Sequence, residues 1–199
     1  MYFIAGSFWQ TLLRWDKALF EKVNSEWTNP VFDAVMPFLR KSTHWIPLYL
    51  FLLIFVLLNF RIRAIWWIVF FIVTVAITDS TGTYLFKYGV ERIRPCNDPE
   101  MLAHLRLLVV CPSGYGFTSN HAANHFGMAT FLFITLRHLL KNWMLLAFVW
   151  AGFIAYAGIY VGIHFPGDVV AGTLLGLLFG SFTGWQFNKH FGLLLPPQA

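Results

Sequence analysis

The chain has 199 residues, 58% of them hydrophobic and only 12% charged, with a formal net charge of +5. That composition cannot supply the polar surface of a soluble domain of this size, so the chain belongs in a bilayer. The positive charge needs no nucleic acid to explain it, because the basic residues sit mainly in short loops flanking apolar runs.

The first thirty residues lack the basic start, short apolar core and small-residue cleavage site of a secretory signal, and read as mature protein. Phe8, Leu12, Trp15, Leu19 and Val23 recur at helical spacing, with Arg14, Asp16, Lys17 and Glu21 on the remaining surface. Residues 1–41 are therefore expected to form an interfacial helical segment, although a helix packed on the bundle fits the same pattern. Apolar runs follow at about 42–60, 64–86, 122–140, 143–163 and 168–187. Each is near the roughly 20 residues that a helix needs to cross a bilayer. The expected fold is all-α, an integral membrane bundle of about five transmembrane spans over residues 42–187 within a single domain of 1–199. Nine Trp and seven Tyr suit aromatic belts at the membrane surfaces.

If the spans alternate, Arg61, Arg63, Arg137, Lys141 and Lys189 share one face, which carries no acid. The amino-terminal segment, residues 87–121 and residues 164–168 share the other, where basic and acidic residues mix. The rule that counts Lys and Arg leaves orientation open. Cys96 and Cys111 bracket one loop on the second face. Two free thiols fit the spacing, but we read a disulfide there, which places that face outside the cytoplasm.

Charged and imidazole groups are costly near hydrocarbon, so the places where they gather are informative. They gather at three span ends. The second span runs into Lys87, Arg92, Arg94 and Pro95; the third opens with Thr118, Ser119, Asn120 and His121; the fourth leads through His164, Pro166 and Gly167 to Asp168. Alternation puts all three at one surface. Lys87 and Arg94 offer a point charge and a planar fork, the two cationic ways to hold phosphate oxygens. Ser119 and Asn120 stand where the third span begins, so unpaired amides favour an anion there.

The pattern is thus suited to phosphate. Imidazole can act as nucleophile or as proton donor near neutral pH. Asp168 four residues after His164 can fix one ring nitrogen and leave the other free to attack phosphorus, while His121 protonates the departing oxygen. Taken singly, each signal has a bland alternative. Lys87 and Arg94 can be snorkelling residues, Thr118 or Ser119 a helix cap, and Asp168 a first-turn acid after Pro166. Asp79, inside the second span beside Ser80, Thr81 and Thr83, fits a polar packing seam as well as a site. His121 and His125 share a helix face, but no third ligand accompanies them and no metal or other cofactor is expected.

These residues resemble the signatures of the type 2 phosphatidic acid phosphatase superfamily, over about residues 64–187. Its first motif, a Lys, six residues, then Arg-Pro, is matched by Lys87, Arg94 and Pro95. Its second, Pro-Ser-Gly-His, is matched at Ser119 and His121, with Thr118 for Pro and Asn120 for Gly. Its third, Ser-Arg, five residues, His, three residues, Asp, is matched at His164 and Asp168. Ala157 and Gly158 stand for its Ser and Arg. The resemblance implies a metal-independent membrane phosphatase in which His164 forms a phosphohistidine, Asp168 orients it and His121 is the acid. Lys87, Arg94 and Ser119 would hold phosphate.

The implied substrate is a membrane lipid phosphate, of isoprenoid, phosphatidate, phosphatidylglycerophosphate or lipid A type. Transfer to a second acceptor is a related possibility, and a non-catalytic binder or transporter of phosphorylated lipids is the rival, favoured by Gly158. The expected location is a bacterial inner membrane with the site on the non-cytoplasmic face; the pattern says nothing of oligomeric state. The departure at Gly158 calls for a substitute group, with Arg92, Arg106 and Asn120 as the candidates in sequence.

Overall fold

The computed structural model describes residues 2–193, with side chains for residues 8–193, and every regular element among them is helical. The helices are α1 (Tyr2–Glu21), α2 (Pro30–Arg40), α3 (Ile46–Phe60), α4 (Ile62–Ser80), α5 (Tyr88–Val90), α6 (Asn120–Leu140), α7 (Leu145–Tyr160) and α8 (Pro166–His190). A π-helical stretch, Thr81–Lys87, joins α4 to α5. Four helical stretches are long and apolar enough to cross a membrane: 42–60, 62–97, 120–160 and 166–190. The third, at 41 residues, is twice the length a crossing needs. It breaks at Lys141, where φ is 49°, and α7 folds back on α6 as a hairpin. The chain is an integral membrane protein.

The amino-terminal stripe does not stay on one surface. Trp15 is 69% exposed and Phe8, Leu12 and Leu19 are also open, whereas Val23 is buried. Val23 lies three residues after the buried Phe20 and shares its side of the helix, which faces the bundle as the chain enters the π-helical turn Lys22–Glu26. The bundle end of α1 is pinned by Phe20, whose ring meets that of Phe165 edge-on at 5.4 Å, and by the Lys17–Asp98 ion pair at 2.9 Å. Helix α2 starts on an Asn29 cap, with Pro30 in its first turn. Its Phe32 ring packs against Tyr160 of α7 at 5.8 Å.

Helices α6 and α8 form the centre of the bundle. Glycines at every fourth position of α8 let the backbones touch, in the manner of small-residue helix contacts in membranes. A Cβ on Gly176 would stand 2.4 Å from the Ala123 carbonyl oxygen, and one on Gly172 would stand 2.5 Å from that of Ser119. The first turns of α6 and α8 are thereby held side by side. Away from that end, Trp67, Phe131 and Phe187 interlock, and Trp67 Nε1 donates to Thr135 Oγ1 at 3.0 Å.

A polar seam links α4 to α6. Asn124 donates to Asp79 Oδ1 at 3.0 Å and accepts from Thr78 Oγ1 at 2.7 Å. Asp79 therefore packs helices together, the seam alternative of the sequence.

Candidate active site

The three sequence clusters meet where α5 ends, α6 begins and the α7–α8 turn passes. Backbone bonds fix the arrangement before any side chain does. Ser119 N donates to the Asp168 carbonyl at 3.0 Å, tying the α6 cap to the first turn of α8. His164 N and Ile163 N both donate to the Gly158 carbonyl, at 3.2 and 3.3 Å, which wraps the turn tightly over the end of α7.

His164 is 3% exposed and Asp168 is 0% exposed. Asp168 stands in the first turn after Pro166, where its Oδ2 accepts from Phe165 N at 3.0 Å and lies 3.6 Å from His164 Nδ1. On the other side of the ring, Arg94 Nη1 is 3.2 Å from His164 Nε2. A guanidinium can only donate, so Nε2 is the acceptor and the ring proton is on Nδ1, facing Asp168. Burial pushes the imidazole down to about 4, against the opposing pull of Asp168. His164 is thus a neutral ring whose Nε2 lone pair accepts from the buried Arg94.

Arg94 is held by loop carbonyls, donating to Gly114 O at 3.2 Å and to Ile163 O at 3.3 Å. Lys87 is half-buried, within electrostatic reach of Arg94 and Asp168. Ser119 caps α6, accepting from Ala122 N at 3.4 Å, which leaves its hydroxyl proton able to donate. His121 is the second residue of α6, its Nε2 3.5 Å from Ser42 Oγ. His125, one turn on, is occupied. Its Nδ1 donates to the His121 carbonyl at 2.7 Å, and Tyr49 reaches its Nε2 at 3.3 Å.

Asn120 faces elsewhere. Its amide nitrogen donates to Asp79 Oδ1 at 2.9 Å and to Thr83 Oγ1 at 2.8 Å, so the residue expected to bind phosphate joins the polar seam. Gly82 makes room for it, since a Cβ there would come within 2.8 Å of Asn120 Oδ1.

Neither arginine proposed to replace the motif arginine at Gly158 is available. Arg92 donates from Nη1 to Asp168 Oδ1 at 2.9 Å and from Nη2 to Asp16 Oδ2 at 2.5 Å, with its guanidinium 4.3 Å over the Phe165 ring. Asp16 in turn accepts from Gly167 N at 2.7 Å. Arg106 is bound to Asp33 at 2.7 Å and to the Asn24 carbonyl at 3.2 Å. Both arginines are taken by carboxylates. Asp16, Ser42 and Arg40 reach this region without any motif spacing to announce them. Cys96 and Cys111 are joined in a disulfide that closes the neighbouring loop.

A helical membrane bundle with a carboxylate-backed histidine facing a buried arginine is the class of protein that this fold and site define. The model of the PAP2 superfamily matches residues 64–191, and the chain belongs to that superfamily. It is 34% identical over 163 residues to a lipid A 4'-phosphatase of Bacteroides thetaiotaomicron, covering 80% of this chain and 69% of that protein. It is 31% identical over 148 residues to an undecaprenyl-diphosphatase of Sulfolobus acidocaldarius, covering 72% and 65% respectively. The fold is that of the transmembrane PAP2 type phosphatidylglycerolphosphate phosphatase of Bacillus subtilis. The TM-score is 0.67 at 22% identity, with 93% of this chain and 90% of that one covered.

Proposed function

We propose that the protein is a membrane-embedded lipid phosphate phosphatase working through a phosphohistidine on His164. The observation that carries the reading is the polarity of that ring, with Asp168 behind Nδ1 and Arg94 3.2 Å from Nε2. Nε2 attacks phosphorus as the bond to the lipid oxygen breaks, and His121 gives that oxygen its proton. Asp168 stabilises the charge that then develops on the ring. Water next attacks phosphorus and loses a proton to His121, which releases inorganic phosphate and restores His164. Lys87, Arg94 and the Ser119 hydroxyl hold the phosphoryl oxygens throughout. No step requires a metal.

The similarity to a lipid A 4'-phosphatase supports a lipid A phosphate as the first substrate to test, and that to an undecaprenyl-diphosphatase supports an isoprenoid diphosphate as the second. An apolar groove of about 730 Å³ between α1 and α8, with Leu12, Trp15, Val170 and Leu174 in its walls and Arg92 at its edge, suits a substrate with hydrocarbon tails. The Cys96–Cys111 pair, beside the site, supports a non-cytoplasmic face of a bacterial inner membrane. The exposed apolar side of α1 supports a helix lying at that surface.

The test is phosphate release by purified protein from lipid A, undecaprenyl diphosphate, phosphatidate and phosphatidylglycerophosphate, with His164→Ala as the blank. Release above that blank from one of them is the expected result. No release from any would remove the phosphatase reading.

A further inference from the structure

Gly158 leaves the third motif without its arginine, and Arg92 and Arg106 are both engaged elsewhere. A different arginine reaches the pocket, from a helix outside every motif. Arg40 is the last residue of α2, and its Nε is buried with no hydrogen-bond partner among the described residues. Its guanidinium acts electrostatically on His121 and His164, and Arg94 acts on it. No carboxylate among the described residues pairs with it, in contrast to Arg92 and Arg106.

The corner that follows Arg40 is firmly fixed over the site. Trp45 Nε1 donates to the Leu39 carbonyl at 2.8 Å, and His44 Nδ1 to that of Phe38 at 2.9 Å. Two residues after Arg40, Ser42 Oγ is 3.5 Å from His121 Nε2. Phe32 anchors the start of α2 on α7, the helix that carries Gly158. Arg40 is therefore held among the catalytic groups by contacts on both sides of it.

A largely buried cation beside a second cation and two imidazoles, where the one nearby carboxylate, Asp168, is already engaged by Arg92 and Phe165 N, is unfavourable unless an anion joins them. Burial first, and the Arg94 charge second, push Arg40 down to about 10. A phosphoryl group between Arg40 and Arg94 reverses that balance for both. We propose that Arg40 is a catalytic residue, supplying to the transferring phosphoryl group the guanidinium that Gly158 lacks. This inference rests on the phosphatase reading and deepens it.

Gly158 also offers a control. A Cβ there would meet only His164, with Cδ2 at 3.4 Å, so an arginine can be returned to the motif position. Two quantities are measured on full-length protein in detergent: kcat/KM for the best lipid phosphate, and the affinity for orthovanadate from thermal stabilisation. Arg40→Ala is expected to lower kcat/KM by roughly 100-fold, as loss of an oxyanion contact does, and to weaken vanadate binding. Arg40→Lys keeps the charge without the fork and falls between. The double variant Arg40→Ala/Gly158→Arg recovers a substantial part of both.

A folded Arg40→Ala with native kcat/KM, or with native vanadate affinity despite lost turnover, overturns the proposal. If the double variant does not fold, the single variants decide through vanadate. If the native protein releases no phosphate from any lipid, the phosphatase reading fails on its own account. Vanadate then still decides: binding lost in Arg40→Ala supports the contact, and binding kept there, or absent from the native protein, overturns it.

Discussion

Arg92 Nη1 donates to Asp168 Oδ1 at 2.9 Å, so the carboxylate beside His164 is itself held by a guanidinium. The same guanidinium holds Asp16 of α1, which also accepts from Gly167 N at 2.7 Å. Arg92 is a positioning residue that acts through Asp168, in the way that groups behind a ligand or base orient it. Arg92→Ala should lower kcat by about 10- to 100-fold with KM little changed, and Asp16→Asn should do the same to a smaller degree. Steady-state kinetics on one lipid phosphate check this; a change confined to KM would make Arg92 a substrate contact instead.

His164→Ala should abolish turnover, and Asp168→Asn should reduce it by a smaller factor, because the carboxylate orients and stabilises while the imidazole reacts. Quenching during turnover should trap acid-labile phosphate on His164, located by mass spectrometry. Near-native turnover in His164→Ala would remove the mechanism.

Burial holds the His164 imidazole at about 4, below its ordinary 6.5. Between those values the unfolded chain carries a proton that the folded chain lacks, so this stabilising contribution is full above pH 6.5 and fades as pH falls toward 4. Thermal midpoints measured from pH 7 to pH 4 should decline less steeply in His164→Gln than in the native protein. Turnover should also persist from pH 7 to pH 5 without a loss assignable to protonation of the nucleophile. Parallel midpoint curves in the two proteins would contradict the buried neutral ring.

The Cys96–Cys111 bond closes a loop that carries Val110, 89% exposed, and Leu107 beside the site. Non-reducing mass mapping of protein isolated without reductant should recover the linked peptides. Removal of the bond should cost about 3 kcal/mol by the chain-entropy relation for a loop of this size. Two free thiols would weaken both the pairing and the placement of this face outside the cytoplasm.

Gly176→Ala should separate α6 from α8, because the new Cβ would stand 2.4 Å from the Ala123 carbonyl oxygen. Overpacking of this kind costs about 1–3 kcal/mol. A lower thermal midpoint is expected, with activity lost as Ser119 and Asp168 part; an unchanged midpoint would show that the helices can slide.

The sequence by itself determined the membrane class, because composition and run length leave a chain this apolar no soluble alternative. It also placed Lys87, Arg94, Ser119, His121, His164 and Asp168 at one end of the bundle, since alternation of spans is a local consequence of their lengths. Asp168 in the first turn of α8 was readable from Pro166 and Gly167. Side-chain direction was not readable. Asn120 turns to Asp79 because Gly82 clears the space, and Val23 turns inward with Phe20, which shares its side of the helix. Only the tertiary structure assigned Arg92 to Asp168, Arg106 to Asp33 and Arg40 to the pocket. The physical reason is that an arginine's role depends on which carboxylates lie within reach of its long side chain. Those carboxylates, Asp168 and Asp33, lie 76 and 73 residues away along the chain from the arginines they hold.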